Sequence, residues 1–185
     1  MHTKPRPKMS VYIATSIDGY IAKNDDGLDW LETFKPPLEI PNEDYGFKKF
    51  LNQVDALVMG KNTYKIASSA AVWPYQGKRV IVLSSSLSSV CDKAEIYTGD
   101  IQQLTKRLYS EGIKHIYVDG GKTISQFLNA RLIDELIISI LPVILGSGIP
   151  LFNNILHESW CRLLSSQAYS NGLLQLRYEM IKKDQ

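Results

Sequence analysis

Three short stretches concentrate residues able to hold a phosphorylated ligand: Gly60-Lys61-Asn62-Thr63, Ser84-Ser85-Ser86 and Gly120-Gly121-Lys122-Thr123. Each follows an apolar run, and the first and third lead into helical periodicity. A glycine at such a join either supplies a backbone angle that other residues resist or lets another group approach the main chain closely. The first N–H groups of a helix have no acceptor within the helix and attract anions. Taken singly, each stretch is equally a tight strand-to-helix turn. Taken together, two softened helix starts, two lysines and several hydroxyls at strand ends point to a polyphosphate, with a dinucleotide as the ligand class.

Other chemistries find little support. The sequence has no G-x-G-x-x-G and no Walker A motif. His2, His115 and His157 have no metal-ligand spacing, and the H-x-E with P-C-x-x-C of zinc deaminases is missing, so no metal is expected. No serine sits in a nucleophile elbow.

The elements that must position these residues alternate. Residues 10–15 read as a first strand, followed by a long loop to about Asn42. Residues 43–53 carry Tyr45, Phe47, Phe50 and Leu51 on a helical period, with Asn42 as candidate cap. The runs 55–60, 79–84 and 115–120 are apolar enough for doubly buried strands, and 101–112 is an amphipathic helix ending at Gly112. From Leu132 the pattern changes to strands, and Asn171-Gly172 is a strong hairpin signal. The expectation is one α/β domain over residues 9–183: a mixed, mainly parallel central sheet flanked by helices, with a C-terminal antiparallel hairpin.

Composition sets outer bounds. At 185 residues and 44% hydrophobic content, the chain is the size of one domain that builds a core without disulfides. A net charge of +2 argues against nucleic acid or an anionic membrane as partner. Residues 1–8 contain two prolines and no apolar run, and read as a disordered leader rather than a signal peptide, with Met9 a candidate natural start. Cys91 and Cys161 belong to no motif, which favours a reducing cytoplasm.

The segments YIATSIDGYIA, MGKNTY, VLSSS, DGGKTISQFL and LPVILGSGIPLF occur in that order. This set resembles the dihydrofolate reductase fold, and more closely its RibD C-terminal reductase branch, over about residues 9 to 181. The resemblance implies an NADPH-dependent reductase. By position, Ala14 and Ile21 would line the nicotinamide pocket. Gly60, Lys61, Asn62 and Thr63 match the family's M-G-R-x-T turn around the pyrophosphate and 2′-phosphate. Ser84 and Ser85 would lie beside the adenosine ribose, and Gly120, Gly121, Lys122, Thr123 and Ile124 form the helix start under the diphosphate. On that reading Gly121→Val removes NADPH binding and spares folding. Asp119 departs from the pattern, standing where dihydrofolate reductases proper have a further glycine.

For the substrate side, the resemblance points to a helix carboxylate sixteen residues before Gly60, which is Asp44. Asp44 either meets a ring and handles a proton or merely occupies a first helical turn. Asp18-Gly19 matches the branch's S-x-D-G-x-I-A loop and makes Asp18 a second catalytic candidate, with a plain turn as the alternative. Trp30 either shields the ring or packs, Gly146 either approaches substrate or sits in a bulge, and Lys35 either meets a substrate phosphate or is solvated. The RibD branch implies 5-amino-6-(5-phosphoribosylamino)uracil as substrate, and the other branch dihydrofolate. A non-catalytic NADPH-binding module on the same scaffold is the remaining alternative. The few charges in residues 132–145 and the branch's habit suggest a homodimer.

Overall fold

The computed structural model describes residues 5–182. Eight strands form one sheet in the order β5-β4-β3-β6-β1-β7-β10-β9, with β1 Lys8–Thr15, β3 Ala56–Gly60, β4 Arg79–Leu83, β5 Ala94–Tyr97, β6 His115–Asp119, β7 Glu135–Ile140, β9 Cys161–Ala168 and β10 Leu174–Met180. From β5 to β7 all neighbours are parallel, and β10 pairs antiparallel with β7 and β9. A separate ribbon joins β2 Tyr20–Ala22 to β8 Ile149–Pro150. The helices are α1 Asp29–Thr33, α2 Phe47–Gln53, α3 Lys61–Ser69, α4 Ile101–Ser110 and α5 Gly121–Asn129. The expected mixed sheet and C-terminal hairpin are present. At the hairpin turn Gly172 takes φ +90°, a conformation few side chains tolerate.

The central strands are apolar throughout because both faces are covered. Along β3, Ala56 and Val58 face one core with Leu104, Leu108, Ile124 and Phe127 of α4 and α5. Leu57 and Met59 face a second core with Phe50, Tyr64 and Ala67 of α2 and α3. The same alternation runs through β6, where Ile116 and Val118 enter the first core and Tyr117 the second. Asp119 therefore shares the α2/α3 face with Tyr117.

Several expectations change. The first strand begins at Lys8. Arg6 is held by Asp134 at 2.7 Å and Lys8 by Glu135 at 2.7 Å, so residues 5–8 belong to the folded body. Residues 1–4 of the expected leader, and Lys183, lie outside the described residues. The helix expected over 43–53 starts at Phe47, because Gly46 takes φ +88° and serves as N-cap in place of Asn42. Residues 135–140 form an interior strand, so the sparsely charged run that suggested a dimer surface is largely spent on the core. Cys91 and Cys161 are both free thiols. No helix among the described residues is long and apolar enough to cross a membrane.

Candidate active site

The chain leaves β3 through α3 toward β4, and leaves the neighbouring β6 through α5 toward β7, the two helices lying on opposite faces. The boundary between β3 and β6 is thus the topological switch point, where open α/β sheets bind ligands at their carboxyl ends. A cavity of about 1080 Å³ opens there. It is lined at the ends of β5, β4, β3, β6 and β1, four strand steps of ~4.8 Å or about 19 Å in all.

At the switch point the two helix starts interlock. A Cβ added to Gly60 would lie 3.1 Å from Oγ1 of Thr123, and one added to Gly120 would lie 2.4 Å from Oγ1 of Thr63. Gly120 also takes φ +89°, which disfavours any side chain. Gly121 is crowded from elsewhere: its Cβ would lie 2.8 Å from the Pro150 carbonyl and 3.2 Å from that of Leu151. That glycine is needed so that the β2–β8 ribbon can pack onto α5. The fold therefore requires this glycine whatever the cavity binds, and a Gly121→Val chain meets rigid backbone before any ligand does, so the expectation that the substitution spares folding is corrected.

Neither α3 nor α5 has a side-chain cap, whereas the N-cap of α4, Asp100, accepts from the Gln103 amide at 2.9 Å. Two helix starts with unsatisfied N–H groups therefore face one cavity. Lys61 donates to Oγ of Ser86 at 3.1 Å, so the serine it meets is Ser86. Ser84 accepts from the Ser86 and Leu87 amides at 3.1 and 3.0 Å, folding that loop against the cavity. Asn62 donates to both carboxylate oxygens of Asp26, at 3.2 and 3.0 Å, tying the loop after β2 across the start of α3.

Among the sequence-derived cofactor residues, Ala14, Ile21, Gly60, Lys61, Asn62, Thr63, Ser84, Ser85, Gly120, Gly121, Lys122 and Thr123 all line this cavity. Ile124 does not. Its side chain is fully buried in the α4/α5 core, and its amide bonds to the Gly120 carbonyl at 2.8 Å.

The substrate-side candidates are placed elsewhere. Asp44 precedes α2 and accepts from the Gly46 and Lys48 amides at 3.0 and 3.1 Å, a capping role outside the cavity lining. Asp18 is exposed and accepts from the Leu145 and Gly146 amides at 3.1 and 2.7 Å, joining two loops. Hydrogen bonding to Ser16 and to those amides holds its carboxyl below the ordinary aspartate range. Trp30 packs with Leu141 and Leu173. Gly146 lies in an exposed turn at φ +75°. The Lys35 ammonium donates to the Glu32 carbonyl at 3.4 Å. None of these five residues lines the cavity.

Two carboxylates do line it: Asp26, tied to Asn62, and Asp119, at the end of β6. Burial pushes the Asp119 carboxyl up to about 6, and the Gly120 amide donating at 2.8 Å, with the Tyr117 and Tyr75 phenols, does not offset that burial. The Tyr117 hydroxyl donates to the Tyr12 carbonyl at 2.8 Å, and Gln175 donates to the Tyr12 hydroxyl at 2.9 Å. Burial also pushes the Tyr12 phenol up to about 12 and Tyr75 and Tyr117 higher still, so all three stay neutral. Tyr117 and Asp119 sit two apart on a strand, which is a legible same-face signal. Tyr75 comes from an irregular segment and carried none.

Comparison with known proteins agrees with this arrangement. The sequence profile of the RibD C-terminal domain matches residues 7–175. YwjB of Bacillus subtilis, itself uncharacterised, is 35% identical over 174 residues, 92% of this chain and 97% of that one. RibD of Corynebacterium ammoniagenes is 27% identical over 161 residues, 78% of this chain but only 45% of the riboflavin biosynthesis protein. The crystal structure of a Shewanella sp. PV-4 protein, provisionally assigned to riboflavin biosynthesis, is 37% identical with a TM-score of 0.87, covering 95% of this chain and 99% of that one. The Thermotoga maritima deaminase and 5-amino-6-(5-phosphoribosylamino)uracil reductase superposes with a TM-score of 0.68 at 18% identity, over 95% of this chain and 57% of the bifunctional protein. The sheet order, the interlocked helix starts and the sequence match lead to one assignment: the chain belongs to the RibD C-terminal reductase domain family.

Proposed function

We propose that this protein is an NADPH-dependent reductase of a pyrimidine or pteridine-like ring, most similar in activity to the reductase half of RibD. The observation that carries this reading is the pair of uncapped helix starts at the switch point, flanked by Lys61 and Lys122. Those groups fit a diphosphate, and the loop of Ser84 to Ser86 with Lys61 fits a 2′-phosphate. Ala14 and Ile21 offer an apolar wall for a nicotinamide on the β1 side. When bound, the reduced cofactor supplies the hydride, and the protein supplies orientation, water exclusion and a hydrogen-bonding carboxylate. Asp119 is the residue placed to be that carboxylate, since once ionised at neutral pH it accepts from a ring N–H. Asp44 supports no dihydrofolate-type role, since its oxygens are engaged in capping.

Titrating NADPH and NADH into the purified protein, followed by nicotinamide fluorescence, tests the cofactor. A loss of NADPH absorbance with 5-amino-6-ribosylaminouracil compounds but not dihydrofolate tests the reaction. Failure to bind NADPH sinks the reading, and binding without turnover of any ring compound leaves only a nucleotide-binding module.

The same proposal includes a homodimer, now supported by a different surface. Edge strand β9 is exposed along almost its whole length, with Leu163 and Leu164 at 50% and 48% and Trp160 beside it at 59%. A long open edge with apolar side chains is a surface that soluble proteins cover. Sedimentation of the wild-type chain as a dimer, and of Leu164→Glu as a monomer, is expected. A wild-type species at 20.9 kDa removes the dimer.

A further inference from the structure

Charge is distributed unevenly along the cavity. Among the described residues, its only cationic lining side chains are Lys61 and Lys122, both in the first turns of the switch-point helices. The β1 end has none. It is lined by Tyr12 and Ala14 of β1, with Leu31 packed against the same small core as Ala14, while Asp119 closes the adjacent strand β6. The nearby lysines are engaged outside it: Lys23 pairs with Asp29 at 2.6 Å, and Lys35 reaches the Glu32 carbonyl. A phosphate drawn into a half-buried site needs cationic or N–H donors to replace its water. Here the two lysines and both helix starts are already matched to a dinucleotide's own diphosphate and 2′-phosphate. A further phosphate at the β1 end would meet aromatic and aliphatic walls, with no cation left to replace its water.

We infer that the β1 end of this cavity accepts an uncharged, flat ring compound that presents an N–H donor and carries no phosphate. The inference rests on the reductase reading of the same cavity and narrows it, separating this chain's substrate class from the phosphoribosyl compound named for the Thermotoga enzyme. Aromatic and aliphatic walls suit a ring. A single carboxylate acceptor orients it without selecting a charged tail.

The test uses the full chain saturated with NADP⁺, titrated calorimetrically with 5-amino-6-(5-phosphoribosylamino)uracil and with its phosphatase-treated, phosphate-free counterpart. NADPH binding is measured separately on the same preparation. The expected result is that the phosphate-free compound binds at least as tightly as the phosphorylated one, and that inorganic phosphate does not displace it. Preference for the phosphorylated compound by more than about threefold overturns the inference. So does binding of neither compound by a chain that holds NADPH, an outcome that leaves the cofactor reading intact. A chain that fails to bind NADPH overturns both together.

Discussion

At the β3–β6 end, the cavity is lined by two lysines, serine and threonine hydroxyls and two helix starts without side-chain caps, while the lining that reaches β1 is aromatic and aliphatic, with the half-buried Asp119 carboxylate on the strand between them. The two ends also differ in what holds them. The first is built from residues adjacent in sequence, at turns that every β-α unit needs. The second gathers Tyr12, Leu31, Tyr75 and Asp119 from four separate elements and loops. The difference teaches that the polar, cationic lining follows from local backbone turns, and the aromatic lining from long-range packing.

The largest expected effect breaks the first end by breaking the fold. Gly121→Val places methyl groups against the Pro150 and Leu151 carbonyls, which are backbone and cannot rotate away. A loss of about 3 kcal/mol follows from forced overpacking, or a fall in Tm of ~6–12 °C for a domain of this size. A variant that melts like the wild type but no longer binds NADPH would restore the diphosphate explanation for this glycine.

Asp119→Asn tests the second end. The Asp119 carboxyl titrates at about 6, so it is an acceptor above that pH and protonated below it. The value of kcat/KM should therefore fall as pH drops through about 6. The asparagine variant should lose that inflection and about tenfold in kcat/KM at neutral pH, with NADPH affinity unchanged. Because the folded-state pKa is raised, ionisation costs stability, and the cost grows as pH rises from the unfolded value of 3.8 to about 6. The variant should thus melt no lower than the wild type at pH 8. A lower melting temperature with an unchanged pH profile would make Asp119 structural.

Lys61→Ala sharpens the contrast within the first end. Loss of a charge-assisted bond of ~1.5–3 kcal/mol should weaken NADPH by about tenfold or more and leave NADH nearly untouched. Equal losses for both cofactors would assign the 2′-phosphate to other groups. The smallest effect is expected from Asp26→Ala. Removing a carboxylate beside a phosphate site should tighten NADPH by about threefold, since it takes away like charge at an exposed position. Weaker binding would mean that the Asp26–Asn62 tie is needed to shape the site.

The parallel core was legible because doubly buried strands are apolar without interruption, and the helix starts because glycine, lysine and threonine mark them locally. The elements that escaped reading are short or half-exposed: β2, β8, α1 and edge strand β5, whose residues are all intermediate in burial and show no strong period. Asp44 lay at the family's spacing from Gly60, yet the positive φ of Gly46 delays the helix and leaves that carboxylate before its start, accepting from the Gly46 and Lys48 amides. Asp119 stood in the sequence as a departure from a glycine pattern, and its surroundings came from Tyr75, whose irregular segment gives no pattern to read.

By itself, then, the sequence determined the alternation of strands and helices, the glycine-marked helix starts and the hairpin, since each depends on the chemistry of a few consecutive residues. Tertiary structure alone decided which carboxylates line the cavity, why Gly121 must lack a side chain, and that β9 rather than β7 presents an open apolar edge. Those outcomes depend on which distant segments pack together, and burial, desolvation and steric contact act between residues whose separation in sequence carries no local signal.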